Sequence, residues 1–180
     1  MKQKFIDYYM KIAELTSNLS YAKRLQVGAV IVRGNQILAT GYNGMPTGWE
    51  NNCEDRDYMS GDAGGWLNPD EIETQWPFVE ETEFVDADDG SVTIKRRYRL
   101  KTKPQVLHAE SNAIAKVSRS TESSEGATLF CTHAPCIDCA KLIYQSGITK
   151  VYYKEKYRDE SGINFLRLGE VDVVEYRKDI

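Results

Sequence analysis

The tightest constraint on this chain comes from two short segments far apart in sequence. One is His108-Ala109-Glu110, and the other, Pro135-Cys136-Ile137-Asp138-Cys139, places its first cysteine 26 residues after the glutamate. An imidazole and two thiols are divalent-metal ligands, so a fold that uses them must bring both segments to one point. Residues two apart on a helix project about 200° from each other, so His108 and Glu110 face one ion only at a helix N-terminus. Pro104 and an extended Gln105–Leu107 place that helix start near His108. Cys136 and Cys139, three apart, share one side of the first turn of a second helix, whose unpaired N–H groups and dipole favour thiolates. Both half-sites therefore belong at helix N-termini.

Three protein ligands leave a fourth tetrahedral position open, which is the arrangement of a catalytic zinc rather than a structural one. Two thiolates cancel the charge of Zn2+, so activating water there also needs a proton acceptor, and Glu110 is placed to be one without being a ligand. Other readings stay open on the residues alone. A lone Cys-x-x-Cys suits a thioredoxin-like redox pair, although such a pair has no use for His108 and Glu110. A closed structural zinc site needs a fourth ligand from Cys131, which reads as core at a strand end, or His133, which reads as part of the strand-to-helix connection.

The surrounding pattern is that of one α/β domain. Phe5, Tyr8, Ile12, Leu15 and Leu19 recur at helical steps and predict a first helix with that stripe inward, ending near residues 17–20. Val27–Val32 and Gln36–Thr40, joined by Arg33-Gly34-Asn35, predict a β-hairpin buried on both faces. Gly41-Tyr42-Asn43-Gly44-Met45-Pro46 then reads as an irregular loop leaving the sheet. Residues 54–103 turn polar and acidic and read as an insertion, with a hairpin around Asp88-Asp89-Gly90 and with Trp66, Trp76 and Phe78 docking on something. Regular alternation then resumes: a helix from His108 with Ala109, Ala113, Ile114 and Val117 inward, a strand at Ala127–Thr132, and a helix at Cys136–Ser146 capped by Gly147. A strand at Val151–Tyr153, a helix at Ile163–Leu168 and a strand at Val171–Val174 complete it.

Composition narrows the partners. With 23 Lys+Arg against 27 Asp+Glu the net charge is −4, which disfavours binding a nucleic-acid polymer through bulk charge. No apolar run is long enough for a membrane span, no secretory leader is evident, and four cysteines are too few for a disulfide scaffold, so a cytoplasmic protein is expected.

Residues 1–53 and 104–176 resemble the deoxycytidylate (dCMP) deaminases of the cytidine deaminase superfamily. Beyond His108-Ala109-Glu110 and Pro135-Cys136-x-x-Cys139, the resemblance rests on Val27-Gly28-Ala29-Val30, Gly41-Tyr42-Asn43-Gly44, Gly126-Ala127-Thr128 and Tyr157-Arg158. It implies a three-layer α/β/α fold with a central five-stranded mixed sheet flanked by helices, and one catalytic Zn2+ on His108, Cys136 and Cys139. It implies hydrolysis of dCMP to dUMP and ammonia, supplying dUMP for thymidylate synthesis, with hydroxide attacking C4 and Glu110 serving as base and then acid. The Ala109 and Cys136 backbones would hold the pyrimidine, Asn43 the deoxyribose 3′-hydroxyl, Tyr157 would pack beside the nucleotide, and the Arg158 fork would bind its phosphate. Each has a plainer alternative: a turn residue for Asn43, a half-buried aromatic for Tyr157, a solvated cation for Arg158.

Family members are commonly homo-oligomers, with hexamers favoured, activated by dCTP and inhibited by dTTP, and a triphosphate effector would carry Mg2+. For such an effector or a phosphate the candidates are Gly41, Tyr42 and Gly44, whose glycines permit close backbone approach, and Lys23 and Arg24 for charge. The chain departs from several relatives at a second, structural zinc. Cys53 stands alone, Ala22 occupies the earlier cysteine position, and no histidine lies between Cys53 and His108, so only the catalytic zinc is expected. Rival functions are another cytidine or adenosine deaminase of the superfamily and a non-catalytic zinc-binding interaction module.

Overall fold

A computed structural model describes residues 1–58, 78–87, 90–157 and 159–178, with side chains described outside 56–99. Helix α1 (Gln3–Ser17) leads into strands β1 (Gly28–Arg33) and β2 (Gln36–Tyr42). Gly34 and Asn35 join them with φ of 56° and 64°, the left-handed pair that a two-residue hairpin needs to match strand twist. Strands β3 (Glu54–Tyr58), β4 (Phe78–Ala87) and β5 (Gly90–Thr102) follow. The remainder alternates as α2 (Ala109–Ser118), β6 (Thr128–His133), α3 (Ile137–Gln145), β7 (Lys150–Glu155), α4 (Ser161–Leu168) and β8 (Asp172–Glu175).

The main sheet has the order β2-β1-β6-β7-β8. β1 pairs antiparallel with β2 and β6, while β6, β7 and β8 run parallel, so the sheet is mixed, as expected. Alternation along its strands sends one set of side chains to each face. Ala29, Ile31, Leu129, Cys131 and Val151 pack under α2, α3 and α4 through Ala109, Ala113, Val117, Ala140, Ile143 and Leu166. On the opposite face Val30, Val32, Phe130 and Tyr152 meet Ile6, Tyr9, Met10 and Ala13 of α1. This is the three-layer α/β/α sandwich.

Three expectations need correction. The buried face of α1 is Ile6, Tyr9, Met10, Ala13 and Thr16, whereas Tyr8, Leu15 and Leu19 are more than half exposed. Small Ala13 wins the inward position because β1 runs very close: a Cβ on Gly28 would collide with the Ala13 carbonyl oxygen and the Ser17 amide nitrogen. Of the hairpin, β1 is buried as far as Val32, with Arg33 half-exposed, whereas β2 is the sheet edge and half-exposed along much of its length. Residues 104–106 form a turn rather than a strand, and Leu107 makes an isolated bridge to Gly44.

The insertion contributes an antiparallel sheet in the order β3-β5-β4, with the β4–β5 register running from Phe78↔Arg99 to Ala87↔Gly90. Those strands are longer than the sequence pattern suggests. Asp88, Asp89, Trp66, Trp76 and the side chain of Phe78 lie outside what is described.

Candidate active site

Helices α2 and α3 begin one residue after His108 and Cys136, which hold the N-cap positions with extended backbones (φ −77°, ψ 154° and φ −70°, ψ 170°). Neither side chain is spent on capping its helix, so both point away to serve elsewhere. Two glycines let the ligand-bearing turns sit close against their supports. A Cβ on Gly41 would strike the Ala109 carbonyl oxygen and the Ala113 amide nitrogen behind the first turn of α2. A Cβ on Gly162, in α4, would strike the Pro135 carbonyl oxygen and the backbone of Cys136. Gly41 is therefore required for packing of β2 on α2 and lies within the strand, not in an open loop.

The two half-sites meet. His108 Nδ1 lies 3.5 Å from Cys136 Sγ and 3.3 Å from Cys139 Sγ, and the three donor atoms all lie within 4.8 Å of one another. Zinc with bonds of about 2.3 Å to sulfur and about 2.1 Å to nitrogen separates tetrahedral N and S donors by about 3.6 Å, so this donor set has both the chemistry and the span for the ion. Cys131 is wholly buried in the core, and neither it nor His133 joins the three.

Without a cation the two thiols share the work of one acid. Cys136 is drawn down to about 4, mainly by hydrogen bonds from Cys139 and then His108, while the same contact and burial drive Cys139 up. A divalent cation held by both sulfurs displaces their protons. Glu110 is only 4% exposed, and burial raises its carboxyl above the ordinary range against the opposing pull of a backbone N–H hydrogen bond and then of His108. A buried carboxyl beside, but outside, a three-ligand cluster is suited to moving protons rather than to coordination.

His108, Glu110 and Cys136 line a cavity of about 210 Å³. Ala109, His133, Ala134 and Tyr157 also line it, together with Arg24, Leu25, Val27, Asn43, Glu54 and Thr102 and the small apolar pair Ala22 and Val106. Tyr157 also packs against the small cluster of Ala134, Tyr153 and Ile163. Asn43 lines the cavity while bracing it: its Oδ1 accepts the Val27 N–H at 2.7 Å and its Nδ2 donates to the Leu25 carbonyl at 2.8 Å. The turn reading of Asn43 therefore has a definite structural content, and one amide hydrogen remains for a ligand.

The remaining expected positions divide. Arg24 faces the cavity with Nη1 3.2 Å from Thr102 Oγ1, whereas Lys23 is exposed and lines a separate hollow with Tyr21, Glu50 and Asn51. Gly44 spends both backbone groups on Leu107, and the Asn43 N–H goes to the Val27 carbonyl, so those two N–H groups are already paired within the chain. Tyr42 closes β2, with its carbonyl accepting from Asn112 and Lys116 over its ring. Arg158 lies outside the described residues.

Sequence reasoning missed Glu54 and Thr102. Glu54, 6% exposed, accepts the backbone N–H groups of Lys23 and Arg24 at 3.0 and 3.1 Å, and so ties the β1 approach to the root of the insertion. No local spacing signals a contact across 30 residues; the only cue is an acidic residue beside the lone Cys53. Cys53 itself packs with Ala22, Val106 and Met45 in an apolar cluster, where thiol and methyl fill the space among them.

Fold and cavity together define a class, the zinc-dependent hydrolytic deaminases of the cytidine deaminase fold, and comparison with known proteins agrees. Residues 3–155 match the cytidine and deoxycytidylate deaminase zinc-binding region, and the chain belongs to that family. Among its relatives are the deoxycytidylate deaminase of Enterobacteria phage T4, 39% identical over 152 residues that cover 82% of this chain and 76% of that one. The human deoxycytidylate deaminase is 31% identical over 166 residues, covering 90% and 71% of the two chains. The structure of a cyanophage S-TIM5 dCMP deaminase in complex with dCMP and dUMP aligns with TM-score 0.70 and 38% identity, over 98% of this chain and 99% of that one.

Proposed function

We propose that this chain hydrolyses dCMP to dUMP and ammonia. The observation that carries the reading is the convergence of His108, Cys136 and Cys139 beside the buried Glu110 in a cavity that also holds a cation, Arg24. The S-TIM5 enzyme, similar along nearly its whole length, holds this substrate and product.

Zinc bound by the three residues supplies a Lewis acid that makes water a nucleophile near neutral pH. Glu110 accepts one proton of the water as the C4–O bond forms and passes it to N3, then takes the proton of the new C4 hydroxyl and delivers it to the amine as the C4–N bond breaks, so that water and dCMP become dUMP and ammonia. Its burial keeps bulk water from competing for that proton. The Ala109 and Cys136 backbones hold the pyrimidine against this carboxyl, Tyr157 packs beside it, and Asn43 offers its remaining amide hydrogen to the 3′-hydroxyl. Arg24 is the phosphate partner within the described cavity, with Arg158 a second, and either supplies a charge-assisted fork.

Regulation belongs to the same proposal. A homo-oligomer, hexameric by resemblance, is activated by dCTP and inhibited by dTTP with Mg2+, its effector charge coming from side chains such as Lys23. Initial rates against dCMP with each nucleotide test this: dCTP should raise activity at low substrate and dTTP lower it, and curves indifferent to both would refute it.

Activity is tested with purified zinc-loaded protein and a panel of cytosine nucleosides, cytosine nucleotides and adenosine, read by ammonia release. Turnover of dCMP above all others is expected. A preference for adenosine or free cytidine would move the chain to another branch of the family.

A further inference from the structure

Beside the expected ligands, the cavity wall contains one more hydrogen-bonding ring, that of His133, and the structure fixes which of its nitrogens bears the proton. The Gly28 backbone N–H donates to Thr132 Oγ1 at 3.1 Å, and Thr132 Oγ1 lies 3.2 Å from His133 Nδ1. Thr132 is 5% exposed and has no other partner among the described residues. A hydroxyl has one hydrogen to give. Were Nδ1 to carry the ring proton, the hydroxyl would accept twice and its own hydrogen would be buried with no acceptor, a costly arrangement. The relay therefore runs from Gly28 N–H to Thr132 Oγ1, then from Thr132 O–H to His133 Nδ1, and the ring proton resides on Nε2. The ring lines the cavity, and no described group accepts from Nε2. Burial holds His133 below the ordinary histidine value, which keeps the ring neutral.

We propose that His133 is a substrate-binding residue whose Nε2–H donates to an acceptor oxygen of the bound nucleotide, with Thr132 as the positioning residue that sets its tautomer. This rests on the deaminase reading above. The acceptor is a phosphate oxygen or an oxygen of the base or sugar, and the donor chemistry is the same for each. A donor with fixed direction in a half-buried wall strengthens binding without touching the reacting C4, so its loss should appear in KM.

The chain has only two histidines, so imidazole signals in long-range proton–nitrogen correlation spectra of the zinc-loaded enzyme are readily assigned. The Nε2–H tautomer is expected for His133, with a shift toward the other tautomer in Thr132→Val; an Nδ1–H tautomer in the unmodified enzyme would overturn the proposal. His133→Ala should raise KM for dCMP about tenfold with kcat within about threefold. His133→Gln, which places an amide N–H near the same point, should recover most of that loss. An equal rise with deoxycytidine places the acceptor on base or sugar, and a rise confined to dCMP places it on phosphate. An unchanged KM in a folded, zinc-loaded His133→Ala, or full recovery by His133→Phe, would refute the donor. Unmodified enzyme that leaves dCMP untouched would overturn the deaminase reading as well, whereas normal turnover with an indifferent His133→Ala would overturn this proposal alone.

Discussion

The two groups of residues that line the cavity, the metal-ligand set and the hydrogen-bonded set around Asn43 and Arg24, are built in different ways. In the metal-ligand set, each half-site lies within four residues at a helix N-terminus, backed by a glycine that admits close packing: Gly41 behind Ala109, Gly162 behind Cys136. In the hydrogen-bonded set, Asn43 braces residues 25 and 27, Glu54 holds residues 23 and 24, and Arg24 reaches Thr102, so every contact joins distant segments. Under the proposed function, the chemistry would rest on local geometry that tolerates little change, and the choice of substrate on a mesh of single hydrogen bonds that can be altered one at a time. Substitutions in the first set should abolish turnover, and those in the second should redistribute it among substrates.

The sharpest break comes from Cys139→Ala, which should lose both zinc and activity, whereas Glu110→Gln should keep its zinc and lose at least about a thousandfold in kcat. Metal analysis beside initial rates separates the two, and metal loss in Glu110→Gln would make the carboxylate a ligand. Next, Gly41→Ala forces a methyl into the Ala109 backbone and should cost about 1–3 kcal/mol of stability, together with weaker zinc retention. Thermal unfolding checks this, and an unchanged midpoint with full zinc would show that β2 and α2 have slack.

In the hydrogen-bonded set, Arg24→Ala should lower kcat/KM for dCMP about ten- to a hundredfold and leave deoxycytidine nearly unaffected. An equal loss for both substrates would remove Arg24 from the phosphate. The smallest effect belongs to Thr102→Val, which frees Arg24 without removing it and should cost dCMP only about three- to tenfold, reported by KM. A loss as great as that of Arg24→Ala would mean that Thr102 itself meets the nucleotide.

The same contrast explains what the sequence made legible. His108, Glu110, Cys136 and Cys139 could be placed because a two-residue and a three-residue spacing each have one solution at a helix start. The alternating strands and helices of the main sheet were likewise readable from periodicity. The inward face of α1 was not, because the close approach of Gly28 to Ala13 turns the Ile6, Tyr9, Met10 and Ala13 face to the sheet and leaves Tyr8, Leu15 and Leu19 outside. Nor was the packing role of Gly41: glycine in a Gly-Tyr-Asn-Gly run reads as an anion loop or as a plain turn, and its contact with Ala109 is seen only in space. Glu54 and Thr102 carry no periodic or motif signal, since their partners lie 30 and 78 residues away.

The most direct measurement is loss of cytosine absorbance from dCMP per zinc ion, in a chelator-washed preparation of the unmodified chain alongside Glu110→Gln. One zinc per chain in both proteins, with turnover in the first and almost none in the second, is the predicted result. Zinc-loaded unmodified protein that leaves dCMP intact, or equal turnover by Glu110→Gln, would contradict it.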